Sequence, residues 1–158
     1  MLNVSKVKTN FPIFTKHPSL AYLDSAATSQ TPERVLVAMD AYYRENRANA
    51  HRGAYPLAVR ASELYENARA IIADFIGAEK DEVIFTFGAT HAMNMLARSL
   101  EETLNLGKDD AIVVSVMEHH SVFVTLQQLA KRHGCLFRVI PLDAGGVLDR
   151  GKAERLID

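Results

Sequence analysis

Between residues 82 and 140 the apolar pattern alternates between two periods, and this limits the possible folds more than any other feature. Glu82-Val83-Ile84-Phe85-Thr86 is short, β-branched and aromatic, and reads as a strand. A helical pattern runs from Gly88-Ala89-Thr90 to about Leu104. Ala111-Ile112-Val113-Val114-Ser115 reads as a second, buried strand. A helix over 121–133 carries Val122, Leu126 and Leu129 on one face, with Gly134 as its stop. Leu136-Phe137-Arg138-Val139-Ile140 reads as a third strand. Strands joined by crossover helices are neighbours in a parallel sheet. Such sheets are covered on both faces and usually contain more than three strands. The expected class is therefore α/β, and the alternation is expected to stop partway through a larger domain.

The residues before this region read as helical. Thr31-Pro32-Glu33 has the form of an N-cap, a proline at the first helical position and an early acid. An apolar face on Val35, Met39 and Tyr42 then runs to about Glu45. From Pro56 to Ile76, Leu57, Ala61, Leu64, Ala68, Ile71 and Phe75 recur at helical spacing, and Gly77 is placed to end the helix. The expected division is 1–80 as an N-terminal helical segment and 81–158 as the first part of an α/β domain. Toward the C-terminus, Asp143-Ala144-Gly145-Gly146 is expected to turn the chain.

Charge and composition exclude several classes of function. The 158 residues carry 18 Lys and Arg against 19 Asp and Glu, a net charge of −1. That balance offers no basic footprint for nucleic acid and no polybasic patch for anionic lipid. The longest apolar stretch, near Ala111 to Met117, is far too short to span a bilayer. Cys135 is the single cysteine, so no internal disulfide is possible. The N-terminus lacks a signal-peptide pattern, and a cytoplasmic protein without nucleic-acid or membrane partners is expected. No HExxH or Cys/His spacing calls for a metal, and no P-loop or dinucleotide fingerprint occurs.

Four segments could carry chemistry, each beside a simpler reading. In 85–90 a strand, a glycine and a helix start with a hydroxyl residue could cradle a phosphate; on local pattern alone, Thr90 simply caps the helix. Met117-Glu118-His119-His120-Ser121 follows a strand end, where open α/β sheets bind ligands. An imidazole there could stack on an aromatic cofactor, or act as a surface or capping group. Asn49-Ala50-His51-Arg52-Gly53 is a polar, potentially anion-binding loop or a solvated connector. Tyr22-Leu23-Asp24-Ser25-Ala26-Ala27-Thr28 allows close backbone approach to a ligand, or forms a tight turn. Cys135, with no basic partner in sequence, reads as an inert buried thiol. Asp109-Asp110 reads as a solvated turn.

Taken in order, these segments resemble the N-terminal part of the Suf-type cysteine desulfurases, or selenocysteine lyases. These belong to the class V aminotransferase group of fold-type I pyridoxal-phosphate enzymes. The resemblance runs through Phe11-Pro12, residues 22–30, Asn49-Ala50-His51-Arg52-Gly53, Tyr65-Glu66-Asn67-Ala68-Arg69, Phe75-Ile76-Gly77-Ala78, Glu82 to Thr86, and Glu118-His119-His120-Ser121. It implies an incomplete PLP-transferase-like large domain with pyridoxal 5'-phosphate as cofactor. Ala89 and Thr90 match paired threonines that hold the cofactor phosphate, and His120 matches a histidine that stacks on its ring. Ala26 and Ala27 match small residues on the substrate side, and His51 and Arg52 a polar active-site loop near a subunit interface. The implied reaction converts L-cysteine, or a related amino acid, to L-alanine and leaves the sulfur as an enzyme persulfide. A homodimer and a sulfur-acceptor protein, with sulfur supplied for iron-sulfur cluster assembly, are implied with it.

The sequence also departs from the family pattern. Ser25 stands where asparagine is usual, Phe87 where a basic residue is usual, Ala89 for threonine, His91 for an acid and Val122 for asparagine. In the family, the lysine that carries the cofactor, the nucleophilic cysteine and the substrate-binding arginine lie further along the chain, and none of the lysines here, such as Lys80 or Lys108, has a matching context. No catalytic residue is therefore assigned, and the chain is expected to be inactive alone. Another class V enzyme, an epimerase or transaminase, is the alternative enzymatic reading. A non-catalytic interaction or dimerisation module is the other.

Overall fold

In the computed structural model, which describes residues 3–157, proline and glycine punctuate the first half of the chain. Asn3 opens α1 (Val4–Lys8) by accepting the Lys6 N–H on its side chain at 3.0 Å. Pro12 begins α2 (Pro12–Lys16) at a position where its missing N–H costs nothing. The next helix, α3 (Glu33–Ala41), starts one residue later than expected. Pro32 is extended and takes the N-cap place, its carbonyl accepting from Val35 and Leu36, and no side chain caps the helix. The helix loosens into a π turn over Tyr42–Asn46. The longest helix, α4 (Pro56–Ile76), ends at Gly77, which is left-handed at φ 71°. A single 3-10 turn follows at Lys80–Glu82.

The inward face of α4 differs from the expected one. Ala58, Ala61 and Ala73 are buried, whereas Ile71 and Phe75 are exposed. Apolar residues occur on more than one side of α4, so periodicity alone does not choose its buried stripe.

The residues up to Val83 form one compact unit and those from Ile84 a second. The second unit contains α5 (Ala89–Thr103), β1 (Ala111–Ser115), α6 (His120–His133), β2 (Leu136–Ile140) and α7 (Arg150–Ile157). β1 and β2 pair in parallel, from Ala111 opposite Leu136 to Ser115 opposite Ile140. Its core holds Ala97 of α5, Val114 of β1, and Leu129 and Ala130 of α6. Phe123 meets Phe137 edge-on at 5.3 Å, linking α6 to β2. Asp143 shapes the turn after β2 by accepting the N–H groups of Gly145 and Val147.

The expected strand over 82–86 is a correction. Glu82 belongs to the 3-10 turn, and the residues after it carry no ladder, leaving two paired strands among the described residues. A β-branched run becomes a strand only where a neighbour supplies hydrogen bonds. Two lesser expectations also shift. Cys135, expected buried, is half-buried just before β2. β1 is buried only at its C-terminal end, at Val114 and Ser115. The Asp109-Asp110 turn forms, with Asp110 accepting the Gly107 N–H at 2.8 Å.

Candidate functional site

In the second unit the candidate residues stand at two helix starts. Gly88 precedes α5 at φ 126° and ψ 175°, a backbone state open essentially to glycine alone. The amides of Ala89, Thr90 and His91 find no acceptor among the described residues. Thr90 lies inside the first turn and caps nothing, which overturns the simple capping reading of its hydroxyl. His91 Nδ1 instead accepts the N–H of Phe87, the residue before the N-cap, at 3.2 Å while its ring stacks on Phe87 at 5.3 Å. Three free N–H groups and the positive end of a 15-residue helix favour an anion.

The second helix start separates two adjacent histidines by role. His119 is the N-cap of α6: its Nδ1 accepts the Ser121 N–H at 3.2 Å and lies 2.7 Å from the Ser121 hydroxyl. His120 is the first helical residue and is exposed. One histidine is thus committed to the backbone, and the other keeps a flat face available. Ser115, at the end of β1, donates to Glu118 at 2.7 Å and stiffens the link between them.

α5 and α6 pack side by side. Glu101, 11 % exposed, receives Arg132 at 2.5 Å and lies 3.5 Å from His133 Nε2. The Arg132 hydrogen bond, backed by the charges of Arg132 and Arg98, holds the Glu101 carboxyl below its ordinary 4.5, against partial desolvation.

In the first unit, Ala26 and Ala27 lie in a turn closed by the N–H groups of Ala27 and Thr28 on the Asp24 carbonyl. The Tyr22 hydroxyl donates across it to Thr28 at 2.5 Å. This is the tight turn, and both alanines are exposed. His51 has φ 69°, the one non-glycine residue with positive φ among those described. Its N–H donates to Ser62 Oγ at 2.7 Å, and its ring meets Tyr65 edge-on at 5.1 Å. Its Nε2 lies 3.6 Å from Glu66. Arg52 is exposed beside it. The Lys80 hydrogen bond at 2.7 Å, then the charges of Lys80, Arg69 and His51, hold the Glu66 carboxyl below its ordinary 4.5, against partial desolvation. Gly53 closes the loop against α4, where an added Cβ would lie 2.3 Å from that of Ala58.

His51 and Arg52 therefore share one loop, Ala26 and Ala27 a turn, and Ala89, Thr90 and His120 two helix starts of the other unit. Sequence reasoning gave no role to Ser62, Glu66 or Lys80. The spacing of Ala58, Ser62 and Glu66 at four-residue intervals was the available signal. Among the described residues, no group of three or more His, Cys, Asp or Glu is placed to hold a metal. No helix is long and apolar enough to cross a membrane.

Residues 21–158 match the family described as Aminotransferase class-V. A probable cysteine desulfurase of Halalkalibacterium halodurans is 41% identical over 99% of this chain and 39% of its own length. A cysteine desulfurase of Haloferax volcanii is 46% identical over 88% of this chain and 33% of its own. The apo cysteine desulfurase of Thermococcus onnurineus superposes with a TM-score of 0.88 at 38% identity, covering 99% of this chain and 38% of that one. The architecture is thus that of the N-terminal portion of a PLP-transferase-like α/β domain, and the two strands and their helices are a part of it. The chain belongs to the class V aminotransferase family. It spans about two-fifths of the length of the first two relatives it matches. The expectation of pyridoxal 5'-phosphate as cofactor agrees with that membership.

Proposed function

We propose that this chain supplies the N-terminal part of the active site of a pyridoxal-phosphate-dependent cysteine desulfurase. The observation that carries this reading is the open first turn of α5 behind Gly88, in a chain similar along nearly all its length to desulfurases. The residues present fit the phosphate end of the cofactor. Backbone N–H groups of Ala89 and Thr90 would donate to phosphate oxygens, and the Thr90 hydroxyl would add one further donor. Ala89 contributes its N–H alone. His120, exposed at the start of α6, would offer its ring face to the pyridine ring. Ala26 and Ala27 leave room for the substrate, and His51 and Arg52 form a polar wall near a dimer interface. When bound, the cofactor supplies an electron sink for bonds made and broken at the substrate Cα. The reaction is conversion of L-cysteine to L-alanine, with the sulfur passed to an acceptor protein for iron-sulfur cluster assembly. The resemblance assigns no catalytic lysine or cysteine to these 158 residues, so alanine release is expected of the chimera below and not of these residues alone. Its domains divide near residue 80.

The test is a chimera in which this chain replaces the matching portion of the Halalkalibacterium halodurans relative. Absorbance titration with pyridoxal phosphate and alanine release from L-cysteine are then measured. The expected result is a saturable cofactor band and alanine formation, with at least about a tenfold loss in His120→Ala, the size of a lost transition-state contact of ~1.4 kcal/mol. A folded chimera that binds no cofactor overturns the reading. One that binds cofactor but racemises or transaminates moves the chain to another class V activity.

A further inference from the structure

His51 has a left-handed backbone, with φ 69°. A histidine in this region is strained by about 1–3 kcal/mol, and such strain persists only where surrounding contacts enforce it. Those contacts come from one face of α4. Ser62 Oγ accepts the His51 N–H at 2.7 Å and donates to the Ala58 carbonyl at 2.8 Å. One turn further on, Glu66 lies 3.6 Å from His51 Nε2. Glu66 is itself held by Lys80 at 2.7 Å and by Arg69 at 3.8 Å. When the ring is neutral, a lone pair on Nε2 would face a carboxylate across 3.6 Å, so electrostatics favours the proton on Nε2 and leaves Nδ1 as the acceptor. A cavity of about 460 Å³ lies beside this loop, lined in part by His51, Gly53, Ser62 and Glu66.

We propose that Ser62 and Glu66 are positioning residues for His51, Ser62 fixing its backbone and Glu66 the tautomer and aim of its ring. Together they hold an acceptor nitrogen in place on the His51 loop. The proposal rests on the desulfurase reading for its catalytic consequence and on geometry alone for the arrangement itself.

The two parts are tested separately. In the 158-residue chain, amide exchange at His51 and its ring tautomer are read by NMR. Ser62→Ala is expected to speed His51 exchange about tenfold, the loss of one hydrogen bond. Ser62→Thr restores protection. Glu66→Gln is expected to raise the minor tautomer with little change in exchange. In the chimera, Ser62→Ala and Glu66→Gln are expected to lower kcat with KM nearly unchanged, and Ser62→Thr to recover it. Unchanged exchange in Ser62→Ala or an unchanged tautomer in Glu66→Gln overturns the proposal, as does a normal kcat in both variants. If the chimera with the natural chain makes no alanine, the desulfurase reading fails, and the NMR measurements alone decide the arrangement.

Discussion

The sharpest steric constraint in the first unit is at Gly53, and replacing it with alanine should move both stability and the His51 loop. An ideal Cβ there would lie 2.3 Å from the Cβ of Ala58 and 2.9 Å from the Tyr55 ring. Carbon atoms rest at about 3.5–4.0 Å, so relief needs a shift of more than an ångström. The tyrosine ring can turn aside. Ala58 is fully buried in the first turn of α4 and has no such freedom. The loop must therefore lift, which loosens the His51 N–H bond to Ser62. Overpacking of this kind costs about 1–3 kcal/mol. With a urea slope of about 1–2 kcal/mol/M, the unfolding midpoint of Gly53→Ala should fall by roughly 1 M. Gly107→Ala is the matched control, because a Cβ there meets nothing within 4 Å. Its midpoint should hold or rise slightly, through the lower entropy of the unfolded chain. Far-UV circular dichroism and the His51 amide shift follow the two effects. A Gly53→Ala midpoint equal to that of Gly107→Ala would refute the steric argument.

Other expectations follow from the same geometry. Gly77→Ala should destabilise the first unit by about 1–2 kcal/mol by urea titration, because φ of 71° disfavours a Cβ even in open space. Because folding lowers the Glu101 pKa, its contribution is present above the ordinary value of 4.5 and is lost as pH falls through the lower folded value. The melting temperature of the second unit should therefore drop on that acid limb, and Glu101→Gln should flatten the drop. Adding the missing hydroxyl with Ala89→Thr should tighten pyridoxal phosphate about tenfold or more in the chimera, read by absorbance titration. This is the effect of one more hydrogen bond to a charged group.

Much of the second unit was legible because its signals are local. The period switches at 111–115 and 136–140 and the stop at Gly134 are each written within a few residues, as is the stop at Gly77 in the first unit. The segment after Glu82 has the composition of a strand but lacks a pairing partner here, and pairing is not a local property. The buried face of α4 escaped for a related reason: its apolar residues surround the helix, and only packing selects the alanine stripe. At the candidate site, sequence pointed to His51, Ala89, Thr90 and His120. It could not separate the capping role of His119 from the free ring of His120. Nor could it show the left-handed backbone of His51, which depends on a hydroxyl eleven residues away.

The exposed apolar side chains of α4 have a thermodynamic consequence. The chain exposes 12333 Å², whereas two separate bodies of half its mass would each expose roughly 4,750 Å² by the scaling for folded monomers. Less surface is hidden on folding than its length would allow. The denaturant slope and the heat-capacity change both scale with that hidden surface. Unfolding of this chain should therefore be gradual in urea and broad in temperature. The same exposed surface should bind hydrophobic dyes under native conditions, a signature normally associated with loosened states, here arising from a folded chain that exposes Phe75 of α4 together with Leu23 and Phe87.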